Sequence, residues 1–271
     1  MKVTTHKDFG LIQDDYAFFE HHATEAAEDI VAYMPHVKAL TAANRPVHML
    51  DFGCGDGGFS AKFHASAQFA ADRLQISLVE PVADYRQTAV ERLQPLTNQL
   101  IHGWPAFPSH LEANFDLILV NHVLYYVPDL DDTSVTLTRA LAPGGVFLTA
   151  MAGRGNVLMQ FAERCLVVIG KSMPYHTAEG LKLVLDRQQI SYSVKDVWYE
   201  LRFPDSVENR LSILRFLLGE HFPEVPRQFM LDLFNPYVVD GQIAVQTMHE
   251  HFVIEGQETA EQGRASPHMD L

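Results

Sequence analysis

The apolar and polar positions of the chain follow the pattern of an α/β domain. Residues 47–58 read VHMLDFGCGDGG, an apolar run that ends in Asp51 and breaks into a loop with four glycines among six residues. A helix-compatible stretch follows. This order of apolar run, glycine-rich turn and helix predicts the first strand-turn-helix unit of a doubly wound sheet. Because glycine lacks a Cβ, these residues let the backbone turn tightly and lie against a ligand.

Three further apolar runs extend this pattern. Residues 77–81 (SLVEP) predict a second strand that ends in Glu80, and residues 115–121 (FDLILVN) predict a strand buried on both faces. Residues 141–151 (LAPGGVFLTAM) predict the end of a helix at Pro-Gly-Gly and the start of another strand. The fold class is therefore predicted to be α/β, with a ligand outside the carboxyl ends of the parallel strands.

The remaining residues predict a continuation of this sheet with a small helical cover. The predicted elements are helices at 156–169 and 177–188, strands at 192–203 and 242–255, and cover helices at 206–219 and 227–234. Thr177 is expected to cap the second of these helices. Residues 47–255 are thus predicted to form one domain, whereas residues 256–271 are polar and aperiodic and predict a disordered tail.

Residues 1–46 are predicted to form a helical lid. Between residues 16 and 33 apolar side chains recur at steps of three and four residues, which predicts one amphipathic helix. The stripe consists of Tyr16, Phe19, Ala23, Ala26, Ile30 and Tyr33. A second stripe beside it consists of Phe18, His22, Glu25 and Asp29. This second stripe is either the solvated flank of a docked helix or a wall of a site.

The histidines do not predict a metal centre. His21, His22 and Glu25 have no Cys or further His at ligand spacing nearby, so no metal ion is expected there. His249 and His251 lie two residues apart on one face of the last predicted strand. That face is interpreted as solvated, which leaves both histidines outside the predicted site.

The charge balance narrows the class of partner. The chain has 20 Lys and Arg residues against 34 Asp and Glu residues, a formal net charge of −14 with His neutral. Nucleic acid requires a basic face, so a small-molecule partner is expected instead. The sequence has no apolar stretch of 18 residues and no signal-peptide core, so no membrane partner is expected. Two cysteines are too few for a disulfide framework, which favours a cytoplasmic location and leaves the oligomeric state open.

The glycine loop indicates a ligand with positive charge. Its spacing is G-x-G-x-G-G, which differs from the G-x-G-x-x-G of dinucleotide-binding turns. The loop has no Lys or Arg for a phosphate and is flanked by Asp51 and Asp56, which disfavours a pyrophosphate. Glu80 can accept hydrogen bonds from the ribose hydroxyls of an adenosine. S-adenosylmethionine meets these conditions because it combines an adenosine with an ammonium and a sulfonium.

These motifs resemble those of class I S-adenosylmethionine-dependent methyltransferases, in DFGCGDG and in LAPGG. The resemblance covers residues 47–151 and implies a seven-stranded Rossmann-like sheet, with S-adenosyl-L-methionine as cofactor and S-adenosyl-L-homocysteine as product. The predicted cofactor-binding residues are Asp51, Gly53, Gly55, Glu80, Pro81, Gly103, Trp104 and Asn121. The adenine is expected near residues 102–104, after the third strand. A nicotinamide enzyme and a non-enzymatic Rossmann domain are the alternatives.

A second resemblance extends over most of the chain. Residues 19–30, 78–85, 121–129 and 251–256 are similar, in order and spacing, to segments of the histamine N-methyltransferase family. It implies that Glu25 contacts an amine substrate and that His122 replaces a glutamine that helps to hold it. The predicted catalytic residues are Glu25, His122 and Tyr126, and the predicted substrate-binding residues are Tyr16, Phe19, Glu25, His122 and Tyr125.

Departures from that family's pattern argue against histamine itself. The family's pocket tryptophans correspond to Asn156 and Gln160, and its asparagine on the last strand corresponds to Thr247. A pocket with fewer aromatic walls should not hold the same ring in the same way. The expected function is methyl transfer to a small molecule, with an amine nitrogen as acceptor. A hydroxyl or carboxylate acceptor, a cyclase or lyase reaction, and a cofactor-binding protein without turnover are the alternatives.

Overall fold

A mixed β-sheet lies at the centre of the computed structural model, which describes residues 12–108 and 114–256. Its strands are β1 (Val47–Phe52), β2 (Leu74–Val79), β3 (His102–Trp104), β4 (Phe115–Asn121), β5 (Leu141–Met151), β6 (Ser193–Pro204), β7 (Val238–Val239) and β8 (Gln242–Glu255). Their order is β3-β2-β1-β4-β5-β8-β6, and the two-residue β7 pairs with β8. β1 to β5 pair in parallel, whereas β8 is antiparallel to β5 and β6. The predicted seven-stranded α/β sheet is therefore confirmed, with β7 as a short addition.

Helices cover both faces of this sheet. They are α1 (Gln13–His22), α2 (Glu25–Ala42), α3 (Gly58–Ala67), α4 (Ala83–Leu93), α5 (Leu130–Arg139), α6 (Val157–Val168), α7 (Ala178–Arg187), α8 (Val207–Leu218) and α9 (Arg227–Asp232). Along β4, Leu117 and Leu119 belong to one apolar core, and Ile118 and Val120 belong to another. Successive side chains of a strand point to opposite faces, so a strand covered on both faces is apolar throughout.

The predicted C-terminal elements are confirmed, and polar caps set where three of the helices begin. The side chains of Asn156, Thr177 and Ser206 each accept a hydrogen bond from a backbone N–H in the first turn of α6, α7 and α8. A third apolar core joins α6, α8 and α9 to β6 and β8. This core forms the helical cover that the sequence predicts.

The prediction of one helix over residues 16–33 is wrong, because the segment breaks between α1 and α2. Ala23 forms an isolated antiparallel bridge with Leu201. The backbone N–H of Thr24 donates to the carbonyl of Glu200 at 2.9 Å, and its hydroxyl accepts from the Glu200 N–H at 3.0 Å. β6 is the edge of the sheet, so its unpaired backbone groups offer this alternative to helical hydrogen bonds.

Two turns also differ from their predictions. α5 ends at Arg139, and residues 141–145, predicted as a helix end, lie within β5, where its register against β4 shifts. His102, Gly103 and Trp104, predicted to follow the third strand, form β3 itself. Residues 257–271 of the predicted tail and the first eleven residues of the predicted lid lie outside the described residues. Among the described helices, none is both long and apolar enough to cross a membrane.

The buried ring of His64 is expected to make the folded protein less stable in acid than at neutral pH. The ring lies buried on α3 beside Phe63 and Phe69, and neither ring nitrogen has a hydrogen-bond partner among the described residues. Burial lowers the pKa of His64 from 6.5 to about 4, so below pH 6.5 the unfolded chain binds a proton that the folded chain excludes. The stability contributed by the neutral ring is present above pH 6.5 and decreases by about 2 kcal/mol between pH 8 and pH 5.

The variant His64→Leu keeps an apolar side chain and removes the titrating group. We expect its free energy of unfolding in urea to decrease between pH 8 and pH 5 by about 2 kcal/mol less than that of the wild type. His36→Gln, at an exposed position of α2, should keep the wild-type dependence. Equal slopes in His64→Leu and the wild type would contradict the prediction.

Candidate functional site

One side of the glycine loop between β1 and α3 packs against the segment after β4, and the other side is open. Gly53 has φ +75°, and a Cβ there would lie 2.4 Å from Cγ1 of Val123. A side chain at this position would therefore combine a strained backbone with a clash. A Cβ on Gly55 would meet nothing within 4 Å. The loop thus abuts the segment after β4 and leaves open space at Gly55.

Glu80 lies buried directly after β2 and faces this loop. Its two carboxylate oxygens accept hydrogen bonds from the backbone N–H groups of Gly55, at 3.1 Å, and Val82, at 2.9 Å. A carboxylate offers about four acceptor positions, so positions remain for two ribose hydroxyls. Pro81 follows, and its carbonyl accepts from Arg86 at 3.3 Å. This geometry fits the predicted contact with an adenosine.

Asp51 lies at the same edge of the sheet, near the end of β1. It is buried and accepts a hydrogen bond from the hydroxyl of Ser60. Burial raises the pKa of Asp51 to about 7, and the charge of Glu80 adds to this increase while the Ser60 hydrogen bond opposes it. A buried carboxyl group whose charge a neighbouring carboxylate destabilises suits a ligand with cationic groups. The residues present therefore fit S-adenosylmethionine.

Gly103 and Trp104 lie beside Glu80 on β3. The backbone carbonyl of Trp104 accepts from the Glu80 N–H at 3.0 Å. A Cβ on Gly103 would lie 3.1 Å from Cγ of Arg86, so the absence of a side chain allows this close approach. The structure thus brings the predicted adenine-binding residues to the end of β2, and the adenine position itself stays a prediction.

A second group of polar side chains meets on the other side of the β4 end. Glu25 and Asp29 come from one face of α2, His122 follows β4, and His249 and His251 lie on β8. Glu25 is 3.7 Å from both a His122 and a His249 ring nitrogen, and its side chain is 18% exposed. We call these five residues the acid-histidine cluster. Because Gly53 packs on Val123, the cluster adjoins the glycine loop.

Asp29 is the centre of this cluster and is fully buried. Its Oδ1 is 2.6 Å from His249 Nε2 and 2.7 Å from His251 Nε2. Its Oδ2 is 3.0 Å from Asn121 Nδ2 and 3.1 Å from His122 Nε2. Burial would raise the pKa of Asp29, but the charge of His122 and the histidine hydrogen bonds outweigh it and hold that pKa well below its usual range.

Asn121 and His122 are therefore tied to Asp29. The side-chain carbonyl of Asn121, a predicted cofactor ligand, accepts from the hydroxyl of Tyr33 at 2.8 Å. Nδ1 of His122 is 3.2 Å from the hydroxyl of Tyr125. Burial alone would lower the pKa of His122. The charges of Glu25 and Asp29 outweigh burial and raise this pKa to about 9. Both ring nitrogens of His122 thus have partners within the protein.

Several buried tyrosines lie near Glu25, among them Tyr125, whose hydroxyl is 3.2 Å from the His122 ring that lies 3.7 Å from Glu25. Burial raises the pKa of each of their hydroxyls, and the charge of Glu25 adds to the increase in every case, for Tyr16, Tyr125, Tyr126 and Tyr199. The ring of Tyr199 lies 5.3 Å from that of His249, whose Nδ1 is 3.7 Å from Glu25. The structure therefore brings the predicted residues Glu25, Tyr16, Tyr125 and Tyr126 together.

Phe19 belongs to the cover instead. Its ring stacks on that of Phe216 on α8 with centroids 5.0 Å apart, and Tyr16 contacts the same ring at 5.4 Å. Phe19 is buried in the apolar core of the cover. The structure thus accounts for Phe19 by packing, and its predicted contact with substrate stays a prediction.

The interpretation of the His249 and His251 face as solvated is wrong, because the two residues are 0% and 3% exposed. Asp29 was predicted only as part of a stripe, and it is 0% exposed. Two sequence signals are consistent with this cluster: Glu25 and Asp29 are four apart on a helix, and the two histidines are two apart on a strand. Nothing in the sequence indicates that these distant pairs meet.

Asn156, Gln160 and Thr247 each have hydrogen-bond partners within the protein. Asn156 is buried, and its Nδ2 donates to the carbonyl of Met248 at 2.9 Å while its carbonyl caps α6. Gln160 donates to the carbonyl of Arg154 at 2.8 Å. The hydroxyl of Thr247 accepts from the N–H of Val157 at 2.8 Å. These side chains fix the start of α6.

Comparisons with known proteins agree with this architecture. A family model described as a methyltransferase domain matches residues 19–190. The YcgJ protein from Bacillus subtilis aligns with a TM-score of 0.57 at 12% identity, over 84% of this chain and 99% of that one. The plantazolicin methyltransferase BpumL, solved in complex with SAH, aligns with a TM-score of 0.52 at 13% identity, over 90% of each chain. No curated protein sequence matches the chain significantly.

Proposed function

The chain belongs to the methyltransferase-domain family, and from this premise we propose that it methylates the nitrogen of a small amine held beside Glu25. It is a methyltransferase that uses S-adenosylmethionine. The amine acceptor rests on the site itself. A partly exposed carboxylate, 3.7 Å from two histidines that contact Tyr125 and Tyr199 and next to the glycine loop, is the observation that carries the proposal.

The surroundings of Glu25 favour a nitrogen acceptor. A carboxylate accepts the N–H groups of an amine, and tyrosine rings attract the cation that forms when the nitrogen gains a methyl group. The formal net charge of −14 favours a neutral or cationic acceptor over an anionic one. The similarity of residues 19–30 and 121–129 to the histamine N-methyltransferase family supports the same class of acceptor.

Alignment of the reactants is the main contribution proposed for the protein. Bound S-adenosylmethionine supplies a methyl group on a positively charged sulfur. We assign Glu80 to the ribose hydroxyls, the Gly53 and Gly55 backbone to the methionine part, and Asp51 to its ammonium. Glu25 accepts an N–H of the amine and so directs the remaining lone pair, and well-oriented reactants gain about 7–11 kcal/mol. After transfer, Glu25 stabilises the methylated cation, whose proton leaves to solvent.

His122 acts in this proposal as a positioning residue. Its two ring nitrogens lie within hydrogen-bond distance of Asp29 and Tyr125, so neither has a free lone pair for the acceptor. Its ring is 3.7 Å from Glu25, where it limits the positions of that carboxylate. Tyr126 contacts Tyr125 and Tyr175 and forms a wall of the acceptor pocket.

Matched acceptors test the class of reaction. Purified full-length protein is incubated with S-adenosylmethionine and with matched acceptor pairs, each of which compares an amine with the alcohol or the carboxylic acid of the same carbon skeleton. We expect amines to stimulate release of S-adenosylhomocysteine and to gain one methyl group by mass spectrometry. Turnover with alcohols or acids alone, or tight and salt-dependent binding of RNA or DNA, would contradict the proposal.

A further inference from the structure

Three side chains of the acid-histidine cluster bring metal-ligating atoms to one buried point. Asp29 Oδ1 is 2.6 Å from His249 Nε2 and 2.7 Å from His251 Nε2, and the two nitrogens are 3.1 Å apart. Ligands about 2.0–2.1 Å from one ion lie about 2.9 Å apart at right angles and about 3.4 Å apart at tetrahedral angles. The three separations are therefore within about 0.3 Å of the spacing of ligands at right angles on one face of a coordination sphere.

We propose that Asp29, His249 and His251 bind one divalent ion of a first-row transition metal. Imidazole nitrogens select such ions over Mg²⁺ and Ca²⁺, which prefer oxygen ligands. Two histidines and one carboxylate on one face are the ligand set of Fe(II) sites, and Mn, Co, Ni and Zn accept the same donor types. The proposal does not depend on the amine acceptor, because bound metal is measured without it.

The second carboxylate oxygen of Asp29 is held by hydrogen bonds, in the way that residues around a metal site orient a ligating carboxylate. Oδ2 accepts from Asn121 and His122, which leaves Oδ1 facing the two histidines. The hydroxyl of Tyr33 donates to Asn121, and its ring stacks on His251 with centroids 4.4 Å apart. Hydrogen bonds to a ligating carboxylate and packing of the ligand rings orient metal ligands in this way.

The second ring nitrogen of His249 gives an independent indication. Nδ1 of this fully buried side chain has no hydrogen-bond partner among the described residues and faces Glu25 Oε1 at 3.7 Å. If a neutral His249 donates its Nε2 proton to Asp29, Nδ1 presents a lone pair to a carboxylate, which is unfavourable in a buried site. An ion on Nε2 places the proton on Nδ1, where it points towards Glu25. Metal-ligating histidines commonly donate their other N–H to a carboxylate.

An ion at this point would connect two distant parts of the chain. Asp29 belongs to α2, whereas His249 and His251 belong to β8. The ion would therefore fasten α2, which carries Glu25, to the sheet. Because the unfolded chain lacks this arrangement, binding should stabilise the folded protein.

Metal analysis of full-length protein without a histidine tag tests the proposal. The protein is stripped with a chelator and equilibrated separately with Fe(II) under nitrogen, Mn(II), Co(II), Ni(II) and Zn(II). We expect one ion per chain with at least one of these metals, a raised Tm with that metal, and a visible Co(II) absorption band. Folded wild-type protein that retains no ion with any of the five metals would overturn the proposal.

Variants locate the ion. His249→Gln, His251→Gln and Asp29→Asn should each lose the bound ion and the rise in Tm. His64→Leu removes a buried histidine elsewhere and should retain both. An ion retained at wild-type stoichiometry in all three ligand variants would place it elsewhere and overturn the assignment. Circular dichroism checks that the variants fold; if they do not, the wild-type stoichiometry and Co(II) band decide.

Discussion

Glu25→Gln is expected to lower kcat/KM for the amine acceptor by about 10- to 150-fold, with the affinity for S-adenosylhomocysteine unchanged. The substitution keeps the size of the side chain and removes its charge. Hydrogen bonds to charged groups contribute about 1.5–3 kcal/mol, which corresponds to that range in rate. Gln keeps an oxygen that accepts hydrogen bonds and has nearly the same shape, so the fold around the side chain should persist.

Glu28→Gln is the matched control because Glu28 lies on the same helix but is exposed. Its kinetics should equal those of the wild type. Steady-state rates with the best amine from the acceptor pairs, together with calorimetry of S-adenosylhomocysteine binding, give the comparison. Wild-type kcat/KM in Glu25→Gln would remove Glu25 from the acceptor site. The metal content of the same preparation is measured alongside, so a loss of the ion is distinguished from a loss of acceptor binding.

Glu80→Ala is expected to weaken binding of S-adenosylhomocysteine by about 1.5–3 kcal/mol, or about 10- to 150-fold in Kd. The variant removes the proposed acceptor of the ribose hydroxyls. It also leaves the N–H groups of Gly55 and Val82 without the carboxylate that holds them. Both effects act on the glycine loop and on the end of β2, where the cofactor is proposed to bind.

Isothermal titration with S-adenosylhomocysteine measures this effect. Glu91→Ala, at an exposed position of α4, is the matched control and should bind like the wild type. Glu80→Gln keeps one acceptor oxygen and should give a Kd between those of the wild type and Glu80→Ala. An unchanged Kd in Glu80→Ala would exclude the assignment of Glu80 to the ribose.

The elements around the glycine loop were predictable because their signals are local. An apolar run, a glycine turn and a following helix lie within a short segment, so their pattern predicts β1, the loop and α3 together. Glu80 follows the next predicted strand, and parallel strands place their carboxyl ends at one edge. Gly53 has a positive φ and lies close to Val123, and both features require a glycine at this position.

The N-terminal segment shows the limit of periodicity. The apolar stripe over residues 16–33 predicts burial correctly for Phe19, Ile30 and Tyr33, and it continues across the break between α1 and α2. Periodicity reports which face is buried and does not detect a partner for the backbone. The edge of β6 supplies that partner at Ala23 and Thr24, and this contact spans more than 170 residues of sequence.

The sequence by itself determined the α/β class, the glycine loop, the acidic residue after β2 and the boundaries of the C-terminal helices and strands. Each of these depends on residues close together along the chain. Only the tertiary structure decided that Asp29 meets His249 and His251, residues more than 200 positions away. In the sequence, the acidic pair of α2 shows an ordinary helical spacing and the histidine pair of β8 an ordinary strand spacing. Polar residues in such patterns usually face solvent, so the sequence does not predict their burial. Their burial follows from the packing of α2 against the sheet, which brings Asp29 within hydrogen-bond distance of both histidines.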